Sequence, residues 1–267
     1  MRESIAGWQR QHGIPLAGVC EFEQGLPLLP CRAARRVPGS AASVIVAAFP
    51  YYTGEHAGAN VSRYAMVADY HRVVGRLLGH LAAELRGRFP SEDFQPFVDN
   101  SPLREVQAAR AAGLGIVGRN GQLITGEYGS YVFLGAVVTS LRIPPDNPNP
   151  GGCGDCGRCL AQCPTGALTP DGLDKDRCRS HITQKKGALT QWERDEIQAG
   201  GLVWGCDICQ NCCPHNQAAR PTPIDAFRQG VEPRFSLNDM DRLLDRMPYG
   251  YRGPGVLARN WHILGGG

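Results

Sequence analysis

The chain has 267 residues, enough for one large globular domain or two smaller ones, and 42% of them are hydrophobic against 20% charged, the composition of a folded protein with a real core. A net charge of +3 lacks the basic excess of a protein dominated by phosphate binding. The longest apolar run, SVIVAAF, is far too short to span a bilayer, and the charged N-terminus MRESIAGWQRQHG lacks the apolar stretch of an export signal, so a cytoplasmic protein without membrane contact is expected.

Taken in chain order, residues 1–145 read as an α/β (α+β) domain. SVIVAAF (Ser43–Phe49) and YVFLGAVVTS (Tyr131–Ser140) are rich in β-branched and aromatic residues and predict buried strands. Between them, residues 62–86 place Val73, Leu77, Leu78, Leu81 and Leu85 at helical spacing. A second helix is expected from Ser101, with Ser101 as N-cap and Pro102 at the first helical position, as far as Gly113. Residues 113–130 hold six glycines in eighteen positions, a loop in which backbone is expected to approach some other group closely. RIPPDNPNPGG (Arg142–Gly152) has the composition of a linker. It leads into a cysteine-rich module over 146–216, and 217–267 reads as a short helical tail packing on the core, with SLNDMDRLLDRM as one helical piece.

Nine of the eleven cysteines lie between Cys153 and Cys213; clustered thiols in a chain without an export signal point to metal rather than to disulfides. CGDCGRCLAQCP (Cys153–Pro164) has the form C-x-x-C-x-x-C-x-x-x-C-P, the run by which bacterial ferredoxins hold 4Fe–4S clusters, with the fourth cysteine reaching a different cluster. Zinc also takes C-x-x-C pairs but has no use for a triplet followed by Cys-Pro. A second run lies in WGCDICQNCCPHN (Trp204–Asn216). Aligning the Cys-Pro pairs sets Cys156, Cys159 and Cys163 on Cys206, Cys209 and Cys213, leaves Cys212 opposite Gln162, and puts Val203 where a first cysteine belongs. Cys178 is available for that vacancy. The crossover rule then assigns Cys153, Cys156, Cys159 and Cys213 to one cluster and Cys163, Cys178, Cys206 and Cys209 to the other. The rival assignment uses Cys212 and leaves Cys178 idle, at the cost of the repeat symmetry.

Beyond the cysteines, RYAMVADYH (Arg63–His71), FVDNSPLRE (Phe97–Glu105), AGLGIVGRN (Ala112–Asn120), RCRSHIT (Arg177–Thr183) and RGPGVLARNWHILG (Arg252–Gly265) together resemble the epoxyqueuosine reductases, cobalamin-dependent iron–sulfur enzymes related to the reductive dehalogenases. The resemblance covers nearly the whole chain. It implies a cobalamin held between the first domain and the cluster module, electrons arriving from an external low-potential donor, and reduction of epoxyqueuosine to queuosine in a tRNA anticodon loop. It places the proton donor at Asp99, with Tyr70 and His71 on the substrate side, and the cobalamin against Ser62, Asp99, Gly115, Gly118, Arg119, Asn120 and Ser130. For Asp99 to act as an acid near neutrality, burial must raise its pKa against the pull of the helix expected at Ser101. DYHRVVG (Asp69–Gly75) supplies no cobalt ligand, because Val74 stands where a D-x-H-x-x-G motif has its glycine.

The chain departs from the family pattern in three places. Ile116 and Arg119 stand where the family has Trp and Lys, and CRSHIT carries Arg179 and His181 in place of the usual residues. The family's C-terminal helical-repeat domain has no counterpart in these 267 residues, so tRNA contact is expected from Arg179, Lys185, Lys186 and Arg252. Two alternatives follow: a corrinoid reductase of a small molecule, or a ferredoxin-like electron carrier with no substrate of its own. A carrier has no need of so long a domain ahead of its clusters.

Overall fold

A computed structural model describes residues 1–22 and 28–266. After helix α1 (Arg2–His12), strands β1 (Leu16–Glu21), β2 (Ser43–Pro50), β3 (Phe94–Val98) and β6 (Val132–Thr139) form an antiparallel sheet in the order β1-β2-β6-β3. Helix α2 (Tyr70–Arg88) covers one face and α3 (Glu105–Ala111) the other. All eight residues of β2 are therefore buried. Ile45, Ala47 and Phe49 pack with Val74, Leu78, Leu81 and Leu85 of α2, whereas Val44, Val46 and Ala48 pack with Ala108 and Ala109 of α3. A strand covered on both faces reads as an unbroken apolar run, which is what SVIVAAF is. Gly135 on β6 lets α2 settle onto the sheet: a Cβ there would lie 2.7 Å from Leu78 Cδ1.

Both predicted helices start later than expected. The first begins at Tyr70, because Asp69 caps it by accepting from His71 N at 3.0 Å. The residues before it are held by tertiary bonds instead: Ser62 N donates to Trp204 O (2.8 Å) and Arg63 N to Asp207 Oδ2 (2.8 Å). The second begins at Glu105 rather than Ser101, since Ser101 Oγ accepts from Leu103 N (3.1 Å) and closes a local turn ahead of the helix.

Two two-residue strands, β4 (Ile116–Val117) and β5 (Leu123–Ile124), shape the glycine-rich loop. The linker is strapped to the sheet by Asp146, whose Oδ2 accepts from Val19 N (2.8 Å) and Arg2 Nη1 (2.7 Å). In the cysteine-rich module, α4 (Arg158–Ala161) precedes the hairpin β7 (Leu168–Thr169) and β8 (Gly172–Leu173); α5 (Arg179–Gln184), α6 (Gln191–Gly200) and α7 (Ile208–Asn211) follow. Thr190 and Glu193 form a capping box at the start of α6. The last segment carries α8 (Asp225–Gln229), α9 (Met240–Leu244) and α10 (Pro254–Ile263). Ile224 and Phe227 enter the core under α2, while Phe235, Leu243, Tyr249 and Leu257 enclose Val61, Met66 and Trp204 in a core of their own. The tail thereby clamps the first domain to the cysteine module. No described helix is long and apolar enough to cross a membrane.

Candidate functional site

The eight cysteines singled out by the repeat rim two hollows. Cys153, Cys156 and Cys159, around the start of α4, line the first together with Cys213, which follows α7. Cys163, Cys178, Cys206 and Cys209 line the second, with Cys178 placed at the N-cap of α5. Each four-residue stretch, α4 or α7, thus directs cysteines to both hollows. Cys212 lines neither; its Sγ donates to Cys209 O at 3.6 Å. Burial, reinforced by Cys206, Cys178 and Cys212, pushes the Cys209 thiol up to about 12, so thiolates gather here only with cations between them. Among the described residues no three His, Cys, Asp or Glu side chains close on a single metal ion. The thiols are spread around hollows, the arrangement that suits ligands at the corners of a multi-iron cube.

The second hollow opens into a cleft of about 600 Å³. Tyr51, Tyr64, Tyr70 and Phe133 line it from the first domain, and Leu173, Lys175, His181, Tyr251 and Arg252 from later segments. The aromatic wall is stacked: Tyr70 lies on Phe133 at 4.2 Å between ring centroids, and His71 on Tyr70 at 4.0 Å. Buried polar side chains fix the cleft's two sides to each other. Gln210 Nε2 donates to Ser130 O (2.9 Å) and Tyr51 Oη (3.1 Å), and Asn216 Oδ1 accepts from Ser130 N (2.7 Å). Tyr64 Oη accepts from Trp204 Nε1 (2.8 Å) and Gln184 Nε2 (3.2 Å). A satisfied buried network of this kind holds one geometry.

Behind the lining residue Tyr70, on which His71 stacks, stands a chain of three titratable groups that forms the rim next to the cleft. Asp69 Oδ1 lies 2.7 Å from His71 Nδ1, and His71 Nε2 lies 3.1 Å from Asp99 Oδ2. Burial opposes charge on His71, but the hydrogen bonds to Asp69 and then Asp99 outweigh it and raise its pKa to about 9. Asp99 moves the other way. The hydrogen bond to His71 holds its carboxyl below the usual range, against partial burial. This corrects the expectation that burial would raise Asp99: its side chain is 57% exposed, and a cation at 3.1 Å dominates. The helix end expected beside it is not the cause, since α3 begins six residues later. Asp99 and Asn100 both adopt left-handed backbone, with φ of 45° and 23°, a costly pair for non-glycine residues and a mark of a loop held for its side chains. Glu105, at the start of α3, has a buried Oε1 with no partner, and burial followed by the Asp99 charge pushes it up to about 8.

Several residues expected against the cobalamin lie elsewhere. Of that set Asn120 lines the cleft; Gly118 and Arg119, with Asn120 again, line the first cysteine hollow. Ser130 is taken up by Asn216 and Gln210, and Ser62 Oγ is buried beneath Gly205. Two of the loop glycines lie close against other parts of the chain: a Cβ would lie 2.2 Å from Ile124 O at Gly115 and 2.0 Å from Asn216 Oδ1 at Gly129. Arg179, expected as a free surface cation, is buried and paired with Glu196 at 2.6 Å, and Lys185 is paired with Glu193. Tyr51, Tyr64, Glu105 and Tyr251 were not legible as site residues. Tyr64 and Glu105 do fall inside the quoted segments RYAMVADYH and FVDNSPLRE, a signal that could have found them.

Comparison with known proteins accords with this geometry. Residues 152–216 match the family described as a 4Fe-4S double cluster binding domain, and residues 31–100 match the family described as epoxyqueuosine reductase QueG, DUF1730. The epoxyqueuosine reductase of Synechocystis sp. is 41% identical over 202 residues, covering 72% of this chain and 69% of that protein. The solved epoxyqueuosine reductase of Streptococcus thermophilus superposes with a TM-score of 0.82 at 27% identity, covering 99% of this chain and 80% of that one. Another epoxyqueuosine reductase, solved with an epoxyqueuosine-modified tRNA-Tyr stem loop, has the same fold, with a TM-score of 0.84 at 24% identity over 98% of this chain and 80% of that one.

Proposed function

The chain belongs to the epoxyqueuosine reductase family, a family of oxidoreductases, and we propose that it reduces epoxyqueuosine to queuosine in a tRNA anticodon loop, using two 4Fe–4S clusters and a cobalamin. One observation carries the reading: the second set of four thiols lines the cleft, and Tyr70 and Tyr251, which also line it, are the rings that His71 packs against on its way to Asp99. Electrons and protons can therefore meet there. Cys153, Cys156, Cys159 and Cys213 would hold one cluster, and Cys163, Cys178, Cys206 and Cys209 the other. The cleft fits a corrinoid in character: it is roomy, walled by aromatic rings and directly continuous with the second thiol set. Tyr51, Tyr64, Tyr70 and Phe133 would bear on the ring system, and Asn120 and Gln122 would supply amides to its polar edge. The chemistry these groups would supply is single-electron relay from an external low-potential donor and, at the cleft, two-electron reduction of the epoxide.

Removing the epoxide oxygen as water takes two electrons and two protons, and the protons are this chain's task. At neutral pH the proton of the rim pair resides on His71. Asp69, holding Nδ1, fixes the imidazole so that Nε2 faces Asp99. Proton delivery runs from His71 Nε2 through the Asp99 carboxyl to the departing oxygen, and the exposed side of Asp99 is the group that touches substrate. Glu105 stays protonated close by and keeps a second negative charge away from that corner.

The test is turnover of an anticodon stem–loop bearing epoxyqueuosine under anaerobic, reducing conditions. Wild type converts it and Asp99→Asn does not, although cobalamin still binds. Wild type that binds cobalamin but leaves this RNA untouched would refute the substrate assignment.

A further inference from the structure

Among the described residues, the lining of the cleft includes Lys175, His181, Arg179 and Arg252 but no carboxylate. Arg179 is committed to Glu196; Lys175 is exposed, and Arg252 Nε is buried without a partner. Beside Arg252 stands Tyr251, a large aromatic residue that is 59% exposed. The Arg252 guanidinium lies over the Tyr251 ring at 5.0 Å, and the ring's edge meets His71 at 6.1 Å between centroids. The ring is already fixed: Tyr251 Oη donates to Gln184 Oε1 at 3.0 Å, and Gln184 in turn donates to Tyr64. An exposed aromatic normally loses area to water for nothing, and a guanidinium Nε buried without an acceptor is costly. Both features are explained by a ligand that brings a flat π-face and an anionic oxygen.

We propose that Tyr251, Arg252 and Lys175 form a clamp for a neighbouring nucleotide of single-stranded RNA, the ring stacking its base and the two cations taking its phosphodiester. This rests on the reading that the nucleoside reduced at the cleft belongs to an RNA loop. Stacking on aromatic side chains and cation contacts to the backbone are the two standard terms of single-strand recognition. A rigid, pre-set ring adds little ordering cost when the base arrives. The clamp lies next to His71, so a nucleotide held there positions its neighbour against the proton-delivering pair.

A cobalamin tail also carries a phosphodiester, so the experiment separates the two ligands. Protein loaded with clusters is titrated in parallel with cobalamin and with a fluorescent anticodon stem–loop bearing epoxyqueuosine. Tyr251→Ala is expected to weaken RNA binding by about tenfold or more, while Tyr251→Phe, which keeps the face, stays within about twofold. Lys175→Ala lowers the slope of log affinity against log salt by about 0.7–1. Cobalamin affinity shifts by a smaller factor than RNA affinity in all three. In turnover, Tyr251→Ala raises KM for the RNA by a larger factor than it lowers kcat. If wild type binds RNA but Tyr251→Ala and Lys175→Ala bind it equally well, the clamp is wrong and the function stands. If these variants weaken cobalamin instead, the cations belong to the cofactor and the clamp is wrong. If wild type shows no affinity for the RNA at all, the functional reading falls and the clamp with it.

Discussion

The cysteine module draws its functional atoms from short local runs: two turns of helix and one outlying residue bring eight thiols around two hollows. The rim of the cleft is assembled differently. Asp69 and His71 come from the start of α2 and Asp99 from the end of β3, and their protonation depends on one another. A thiol at a cluster corner is either a ligand or not, whatever surrounds it. A carboxyl or imidazole at the rim is tuned by its neighbours, so its chemistry is graded. Substitutions in the first region should therefore act in steps and those in the second by degrees.

The largest effects test the first half of that contrast. Wild type reconstituted anaerobically should hold about eight irons, and Cys178→Ala or Cys213→Ala about four, with turnover abolished. Cys212→Ala should keep all of them, because its thiol faces neither hollow. Iron and sulfide analysis decides this; full iron in Cys178→Ala with loss in Cys212→Ala would establish the rival ligand set. Next in size comes Asp99→Asn, expected to lower kcat by about 10²–10⁴-fold with cobalamin affinity retained.

The two regions also differ in how far the sequence discloses them. Cysteine spacing is a one-dimensional record of a three-dimensional site, so even the exchange of Cys163 and Cys213 between hollows follows from aligning one run on the other. The two central strands, β2 and β6, were equally legible, because a strand buried on both faces must be apolar throughout. The direction of the Asp99 shift was not. It depends on a contact with His71 across twenty-eight residues of chain, which no local pattern encodes. The glycines of the 113–129 loop were legible only in part: lack of a side chain signals close approach without saying to what, and at Gly115 and Gly129 the partners are Ile124 O and Asn216. Helix starts slipped where tertiary bonds, from Trp204 and Asp207 to residues 62 and 63, claimed backbone that helical periodicity left undecided.

Graded behaviour at the rim should show in pH profiles. His71 must carry its proton to supply Asp99, so kcat should hold through neutrality and fall as pH rises through about 9. Asp69→Asn removes the larger of the two hydrogen bonds that raise this pKa, and the falling limb should move to lower pH. His71→Gln should abolish the limb and reduce kcat by about 10–100-fold, less than Asp99→Asn. A limb that stays in place in Asp69→Asn would show that another group supplies the proton.

The smallest expected effect is on stability and concerns Glu105, which is raised from 4.5 to about 8 in the folded chain. The unfolded chain gives up this proton as pH passes 4.5, while the folded chain keeps it until about 8. Between those values the folded state binds the extra proton, so stability falls as pH rises, and it levels off above about 8. Glu105→Gln presents a neutral group of the same shape at every pH and escapes that loss. Its melting temperature relative to wild type should therefore be nearly level at pH 4.5 and rise steadily towards pH 8, by about 2–4 °C for each 1 kcal/mol or so of difference. A difference that does not change with pH would mean that Glu105 is ionised in the folded protein. Asp99 would then have a second carboxylate beside it, and the rim's charge would rest on His71 alone.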